Sequence, residues 1–77
     1  MNDNEFFKYS RITGRKYNVF NTIRILNLAQ SMAYIENGVL PVDITVGRNK
    51  NDQRCLIFYF IKDDTTEVYD KWCKYEL

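Results

Sequence analysis

The segment Arg54–Ile61 constrains the fold more than any other part of this sequence. It reads Arg-Cys-Leu-Ile-Phe-Tyr-Phe-Ile, so apolar side chains occupy both alternating sets of positions after the arginine. Successive residues of a β-strand point to opposite faces of the sheet, and a strand that is apolar at every position is normally covered on both faces. The segment therefore predicts a central strand.

A second strand precedes this one in the chain. Apolar and polar residues alternate from Val42 to Val46, which is typical of a strand with one exposed face. The polar residues 47–53 then lead into the central strand, so the two strands are expected to form a β-hairpin. Pro41 favours an edge position for the first of them, or a late start to its pairing. Residues 16–20 are expected to occupy the other edge.

Two segments carry helical patterns. In residues 22–37 the spacing of one helical face links Ile25, Leu26, Ala29, Met32 and Ala33. Asn21 or Thr22 is the expected N-cap of this helix, and Asn37-Gly38 its end. A shorter helix is predicted at about residues 65–76, with Asp64 as its cap.

The chain has 77 residues, which is enough for one hydrophobic core. We expect a single α+β domain over residues 1–77, with a three- or four-stranded, mainly antiparallel sheet and two helices in the order (β)βαββα. Residues 1–15 are an arm or an extra strand. Either both helices cover one face of the sheet, leaving the other to the arm or a partner, or one helix lies on each face.

Few residues suit catalysis. The chain contains no histidine, so the most common general base and a Cys–His or Ser–His pair are absent. The two cysteines, Cys55 and Cys73, are expected to be buried thiols rather than a disulfide or a redox pair. No glycine-rich phosphate loop is present. We therefore predict a protein that is not an enzyme and that binds no metal or cofactor.

The predicted function is binding. Apolar surface left open on the sheet would mark contact with a protein partner or self-association as a homodimer. Aromatic side chains dominate interface energies. The expected contacts are Phe6, Phe7, Tyr9, Tyr34, Phe58 and Phe60.

Nucleic acid is the alternative partner. Phe58 and Phe60 share one face of the predicted central strand, where they could stack the bases of RNA or a single strand. Residues 1–25 carry a net charge of +3 and residues 63–77 a net charge of −3, so the chain is not basic throughout. The basic residues available to such a module are Lys8, Arg11, Arg15, Lys16, Arg24, Arg48, Lys50 and Arg54.

No apolar stretch approaches the roughly 20 residues of a membrane span, and the polar start of the chain lacks a secretory signal. A cytoplasmic location and no membrane association are expected.

The run from Lys16 to Tyr75 resembles a family of small uncharacterised domains from phages and mobile elements of low-GC Gram-positive bacteria. The resemblance is carried by a short tyrosine-containing strand (Tyr17 to Phe20), an aliphatic helix ending in Asn37-Gly38, a hairpin with an Asn/Lys/Asp loop, an aromatic strand and an acidic-capped helix. It implies no activity and no catalytic residue. It implies a phage-encoded accessory protein that binds host machinery, including defence systems, in the host cytoplasm.

Overall fold

The computed structural model describes residues 6–77, which form five strands and two α-helices. The elements are β1 (Phe7–Tyr9), β2 (Lys16–Asn18), β3 (Thr22–Ile25), α1 (Leu28–Glu36), β4 (Asp43–Arg48), β5 (Arg54–Ile61) and α2 (Thr66–Cys73). Short 3₁₀ turns at Val19–Asn21 and Lys62–Thr65 lead into β3 and α2. The predicted α+β class, with two helices and antiparallel sheets, is confirmed.

The main sheet has the strand order β3-β5-β4, and both pairings are antiparallel. The apolar strand β5 is therefore central, as its composition predicts. The β4–β5 hairpin is also confirmed. Its polar loop is closed by the side chain of Asn49, whose Oδ1 accepts the N–H groups of Asn51 (2.9 Å) and Gln53 (3.0 Å).

The occupant of the second sheet edge differs from the prediction. Thr22–Ile25 pairs with β5, whereas residues 16–20 do not, so the prediction of a helix from residue 22 was wrong. Ile23 and Ile25 are β-branched and point to one face of the sheet, which suits a strand. Their spacing also fits a helix, and the pairing of this segment with β5 selected the strand over the helix.

Helix α1 begins after this strand. Its N-cap is Asn27, whose Oδ1 accepts the N–H of Gln30 at 3.1 Å, and not Asn21 or Thr22. Asn37 ends the helix and Gly38 follows with a φ of 87°, a left-handed conformation that glycine adopts without a steric cost. The predicted end is therefore correct and the predicted start was six residues early.

Helix α2 is shorter than expected. It spans Thr66–Cys73, and the preceding residues form a 3₁₀ turn in which Asp64 provides no side-chain cap to the α-helix. Among residues 6–77 we find no helix with the length and apolar character needed to cross a membrane.

Both helices pack on the same face of the main sheet. Tyr34 from α1 and Val68 from α2 join Phe58 and Phe60 from β5 in one buried cluster, which Ile25 completes. The rings of Tyr34 and Phe60 meet edge to face with their centroids 5.3 Å apart. The arrangement with one helix on each face is therefore excluded.

The opposite face is covered in part by a separate hairpin of β1 and β2. Tyr17 of this hairpin lies against Tyr59 of β5, with the ring centroids 6.2 Å apart. Thr13 in its turn donates its hydroxyl hydrogen to the carbonyl oxygen of Val42 at 2.7 Å. The predicted N-terminal arm is thus part of a docked hairpin, and its first five residues lie outside the described residues.

Candidate partner-binding surface

One end of the sheet remains apolar and exposed. Leu26, Leu28, Val46 and Leu56, called the apolar patch below, line one groove and are 40%, 55%, 66% and 44% exposed, respectively. Val46 and Leu56 face each other across β4 and β5, while Leu28 opens helix α1 and Leu26 lies just before it. The patch is contributed by three segments, namely the start of α1, β4 and β5, so it exists only in the folded chain.

Helix α1 is only about half as long as β5. An α-helix rises about 1.5 Å per residue, so the nine residues of α1 span about 13 Å. The eight residues of β5 span about 27 Å at roughly 3.4 Å each. The helices cover Phe58 and Phe60, which are 7% and 0% exposed, but Leu56 on the same face is left uncovered.

Two arginines border the apolar patch. Arg48 and Arg54 face each other across the β4–β5 pair, on the same side of the sheet as Val46 and Leu56. Like charges in directly opposed positions are unfavourable. Arg48 forms an ion pair with Asp52 at 3.7 Å, but Arg54 forms none within residues 6–77. This end of the sheet therefore combines apolar side chains with a cation that lacks a partner among the described residues.

The other face of the sheet contains a buried polar connection between the two sheets. The hydroxyl group of Tyr17 donates to Oδ2 of Asp43 at 2.5 Å, and both residues are buried. Burial is the main cause that raises the pKa of Tyr17 far above its usual range, and the hydrogen bond to Asp43 adds to it. Burial also acts to raise the pKa of Asp43. Hydrogen bonds from Tyr17, Ser10 and the Ile44 backbone, with the charge of Lys8, outweigh it, so that pKa is lowered.

The outer face of the β1–β2 hairpin carries exposed aromatic rings. Lys16 places its Nζ 4.8 Å from the ring centroid of Phe7 and 5.8 Å from that of Tyr9. Phe6 is half-buried and packs against Phe20 in a tilted arrangement, with the ring centroids 4.9 Å apart. Phe7 and Tyr9 are therefore exposed, as a contact role requires, but they lie on the hairpin and outside the apolar patch.

The other three predicted contacts are not available as a surface. Tyr34 and Phe60 have no exposed area, and Phe58 is 7% exposed, because all three form the core between the sheet and the helices. Their assignment as partner contacts was wrong. The sequence showed that β5 is apolar on both faces, but not which half of the strand the helices would cover.

The structure also removes the basis for base stacking on the sheet, because Phe58 and Phe60 are buried. The basic side chains do not form one stripe. Arg48 and Arg54 lie on the helix side of the sheet and Arg24 on the opposite side. The other five cations predicted to contact nucleic acid belong to the hairpin or to the β4–β5 loop: Lys8, Arg11, Arg15, Lys16 and Lys50.

Both cysteines are free. Cys55 is half-buried and Cys73 is exposed, so neither thiol is fully buried as predicted.

The residues of the apolar patch were missed as contacts at the sequence level. The sequence contained part of the evidence: Leu26 and Leu28 flank Asn27, which caps α1, and residues at a helix start are less fully covered than those in its middle. No protein family, curated protein or solved structure matches the chain.

Proposed function

We propose that this chain is a small non-catalytic interaction protein that binds a protein partner through the apolar patch. The patch supports this function most directly. Contiguous exposed apolar side chains on a soluble domain usually mark a contact surface. Its residues lie on strands and at a helix start rather than in a long loop, so the surface is held in shape before binding.

The size of the patch sets what it can contribute. Fully burying one leucine or valine side chain stabilises by about 1.5–3 kcal/mol, so four half-exposed ones contribute roughly 3–6 kcal/mol. Association costs about 4–15 kcal/mol in lost freedom of motion. The patch alone does not hold a stable complex, and polar contacts around it must add to the affinity.

The resemblance to domains of phages and mobile elements favours a host protein as the partner. Inhibition of host defence machinery in the host cytoplasm is the form of this function that the resemblance implies. Self-association through the same patch is the competing use of the surface.

The test compares two variants that each make two polar substitutions at exposed apolar positions. The patch variant combines Val46→Thr with Leu28→Gln, which keep strand and helix propensity. The control variant combines Leu40→Gln with Tyr69→Gln, at positions that are similarly exposed and outside the patch.

Each tagged protein is incubated with lysate of a low-GC Gram-positive bacterium, and the retained proteins are quantified by mass spectrometry. Sedimentation of the purified chains measures self-association in parallel. We expect a stoichiometric partner that the wild type and the control variant retain and that the patch variant loses. Equal retention by all three proteins, or a monomeric wild type that retains nothing, would contradict the proposal.

A further inference from the structure

The strand β4 has a free edge beside the apolar patch. Within the part of the chain that the structure describes, no strand pairs with its outer side. Asn49, just beyond β4, donates its N–H to the carbonyl oxygen of Gln53 at 3.0 Å, so this facing pair is hydrogen-bonded. Hydrogen-bonded and non-bonded pairs alternate along an antiparallel ladder. The backbone groups of Val46 and Arg48 therefore point away from β5.

The hydrogen bond of Ile44 supports this assignment. Ile44 lies two residues before Val46, and its N–H bonds to Oδ1 of Asp43 at 2.9 Å instead of to β5. The outward N–H of Ile44 is therefore already occupied and is not available to an added strand. Val46 to Arg48 is the stretch of β4 whose outward backbone groups remain available to another strand.

The space along this edge has two walls. On the helix side lie Val46 and Leu56 of the apolar patch. On the other side, the β1–β2 hairpin brings Tyr9, Arg11 and Ile12 next to residues 43–46, and together they line a groove of about 510 Å³. An extended chain added to β4 would place alternate side chains toward the patch and toward the hairpin.

The charges around this edge select the kind of chain that fits. Arg11 lies on the hairpin side of this edge, and Arg54 lies on the helix side, opposite Arg48. The nearby carboxylates are already engaged, since Asp43 accepts hydrogen bonds from Tyr17 and Ile44, and Asp52 pairs with Arg48. A second copy that paired through its own β4 edge would bring the same cations to the contact without a free carboxylate to match them.

We propose that the partner adds an extended acidic segment to the free edge of β4 at Val46 and Arg48, with its apolar side chains on the patch. This mode of strand addition rests on the proposed function and deepens it. Main-chain hydrogen bonds supply the affinity that the apolar patch lacks, and Arg11 on the hairpin side faces the carboxylates that alternate with the apolar side chains.

The probes are three short capped peptides of equal length. The first alternates valine with glutamate, the second alternates valine with lysine, and the third arranges the residues of the first at helical spacing. Binding is followed by amide chemical shifts of the ¹⁵N-labelled full chain. We expect the first peptide to bind, with the largest shifts at Val46 and Arg48, and the other two to bind at least about tenfold more weakly.

Salt gives a second readout on the unmodified protein. Between about 0.01 and 1 M salt the screening length falls from about 30 to 3 Å. The affinity for the glutamate peptide is therefore expected to fall across this range. Equal binding of the lysine peptide, preferential binding of the helical peptide, or no binding of the glutamate peptide would overturn strand addition.

Val46→Pro removes the outward N–H while leaving the bonds between β4 and β5 in place, and proline is tolerated on edge strands. We expect it to weaken the binding of the glutamate peptide by about tenfold, which is equivalent to the loss of about one main-chain hydrogen bond. Val46→Ala, which keeps the N–H but shortens the side chain, measures the side-chain contribution, and only a larger loss with proline is assigned to the hydrogen bond. Circular dichroism checks folding, and if the proline variant unfolds, protection of the Val46 and Arg48 amides from exchange in the wild type replaces it.

The two proposals fail in different ways. Partner capture that depends on the apolar patch but survives Val46→Pro rejects strand addition and keeps the proposed function. Capture that is unaffected by the patch variant rejects both.

Discussion

Replacing Tyr17 with phenylalanine tests whether the hydrogen bond to Asp43 holds the β1–β2 hairpin on the main sheet. The substitution removes one hydroxyl group and keeps the ring that lies against Tyr59. Tyr17 is 4% exposed and Asp43 is 7% exposed, so water does not readily replace the lost donor. Asp43 would keep its bond from the Ile44 N–H but lose the 2.5 Å bond from Tyr17.

A hydrogen bond to a charged group contributes about 1.5–3 kcal/mol, so we expect Tyr17→Phe to lower the free energy of unfolding by about 2 kcal/mol. A domain of this length has a total stability of roughly 4–12 kcal/mol. The loss is therefore a large fraction of the total and readily measured.

Urea unfolding at neutral pH, followed by circular dichroism, measures this loss. The midpoint should fall while the slope of the free energy against urea stays the same. The control is Tyr75→Phe, since Tyr75 is 95% exposed and its hydroxyl contacts water. The control should change stability by less than about 0.5 kcal/mol. If Tyr17→Phe lowers the stability by no more than the control does, the view that this bond anchors the hairpin is refuted.

The pH dependence provides an independent check on the same bond. The bond lowers the pKa of Asp43, so its contribution is present above the usual aspartate pKa and is lost as the pH falls through the lowered value. The difference in stability between the wild type and Tyr17→Phe should therefore shrink in acid. A constant difference down to the acid limit would mean that the carboxylate of Asp43 is not the acceptor that matters.

Three further predictions concern the core and the titration of the buried pair. Phe60→Ala should destabilise the chain by about 3–5 kcal/mol because Phe60 is fully buried between the main sheet and the helices. A thermal melt with little change in midpoint would contradict this packing. Ser31→Ala should stabilise by about 1 kcal/mol, since the buried Ser31 hydroxyl has no hydrogen-bond partner among residues 6–77 and alanine favours helix; a lower urea midpoint would show that the hydroxyl is satisfied. Because the pKa of Tyr17 is raised in the folded chain, its contribution to stability is fully present below the ordinary tyrosine pKa of about 10 and should be lost as the pH rises above that value. If the free energy of unfolding falls just as steeply with pH in Tyr17→Phe, Tyr17 is not the group responsible.

The apolar patch stays open because the helices and the β1–β2 hairpin each cover only part of the main sheet. The helices cover one half of β5 on one face, and the β1–β2 hairpin covers part of the other face through Tyr17. Neither covers the end where Val46 and Leu56 lie. Loosening the hairpin through Tyr17→Phe would disturb one wall of the groove beside β4 while leaving the apolar patch intact.

Local sequence patterns determined the elements whose residues carry one unambiguous signal. The two-sided apolar run of β5 made it central, the alternation after Pro41 made β4 a hairpin partner, and Asn37-Gly38 ended α1. These features depend on side-chain periodicity and backbone preference, which are properties of neighbouring residues.

Tertiary structure decided what those patterns left ambiguous. Ile23 and Ile25 suit either a helix or a strand, and the unpaired edge of β5 selected the strand. Burial of Phe58 and exposure of Leu56, two residues apart on one face, depend on where the short helices come to lie. No local pattern contains that information, because covering a side chain requires atoms from a distant part of the chain. The core could therefore be predicted as a set of apolar residues, whereas the surface left over became visible only in the folded molecule.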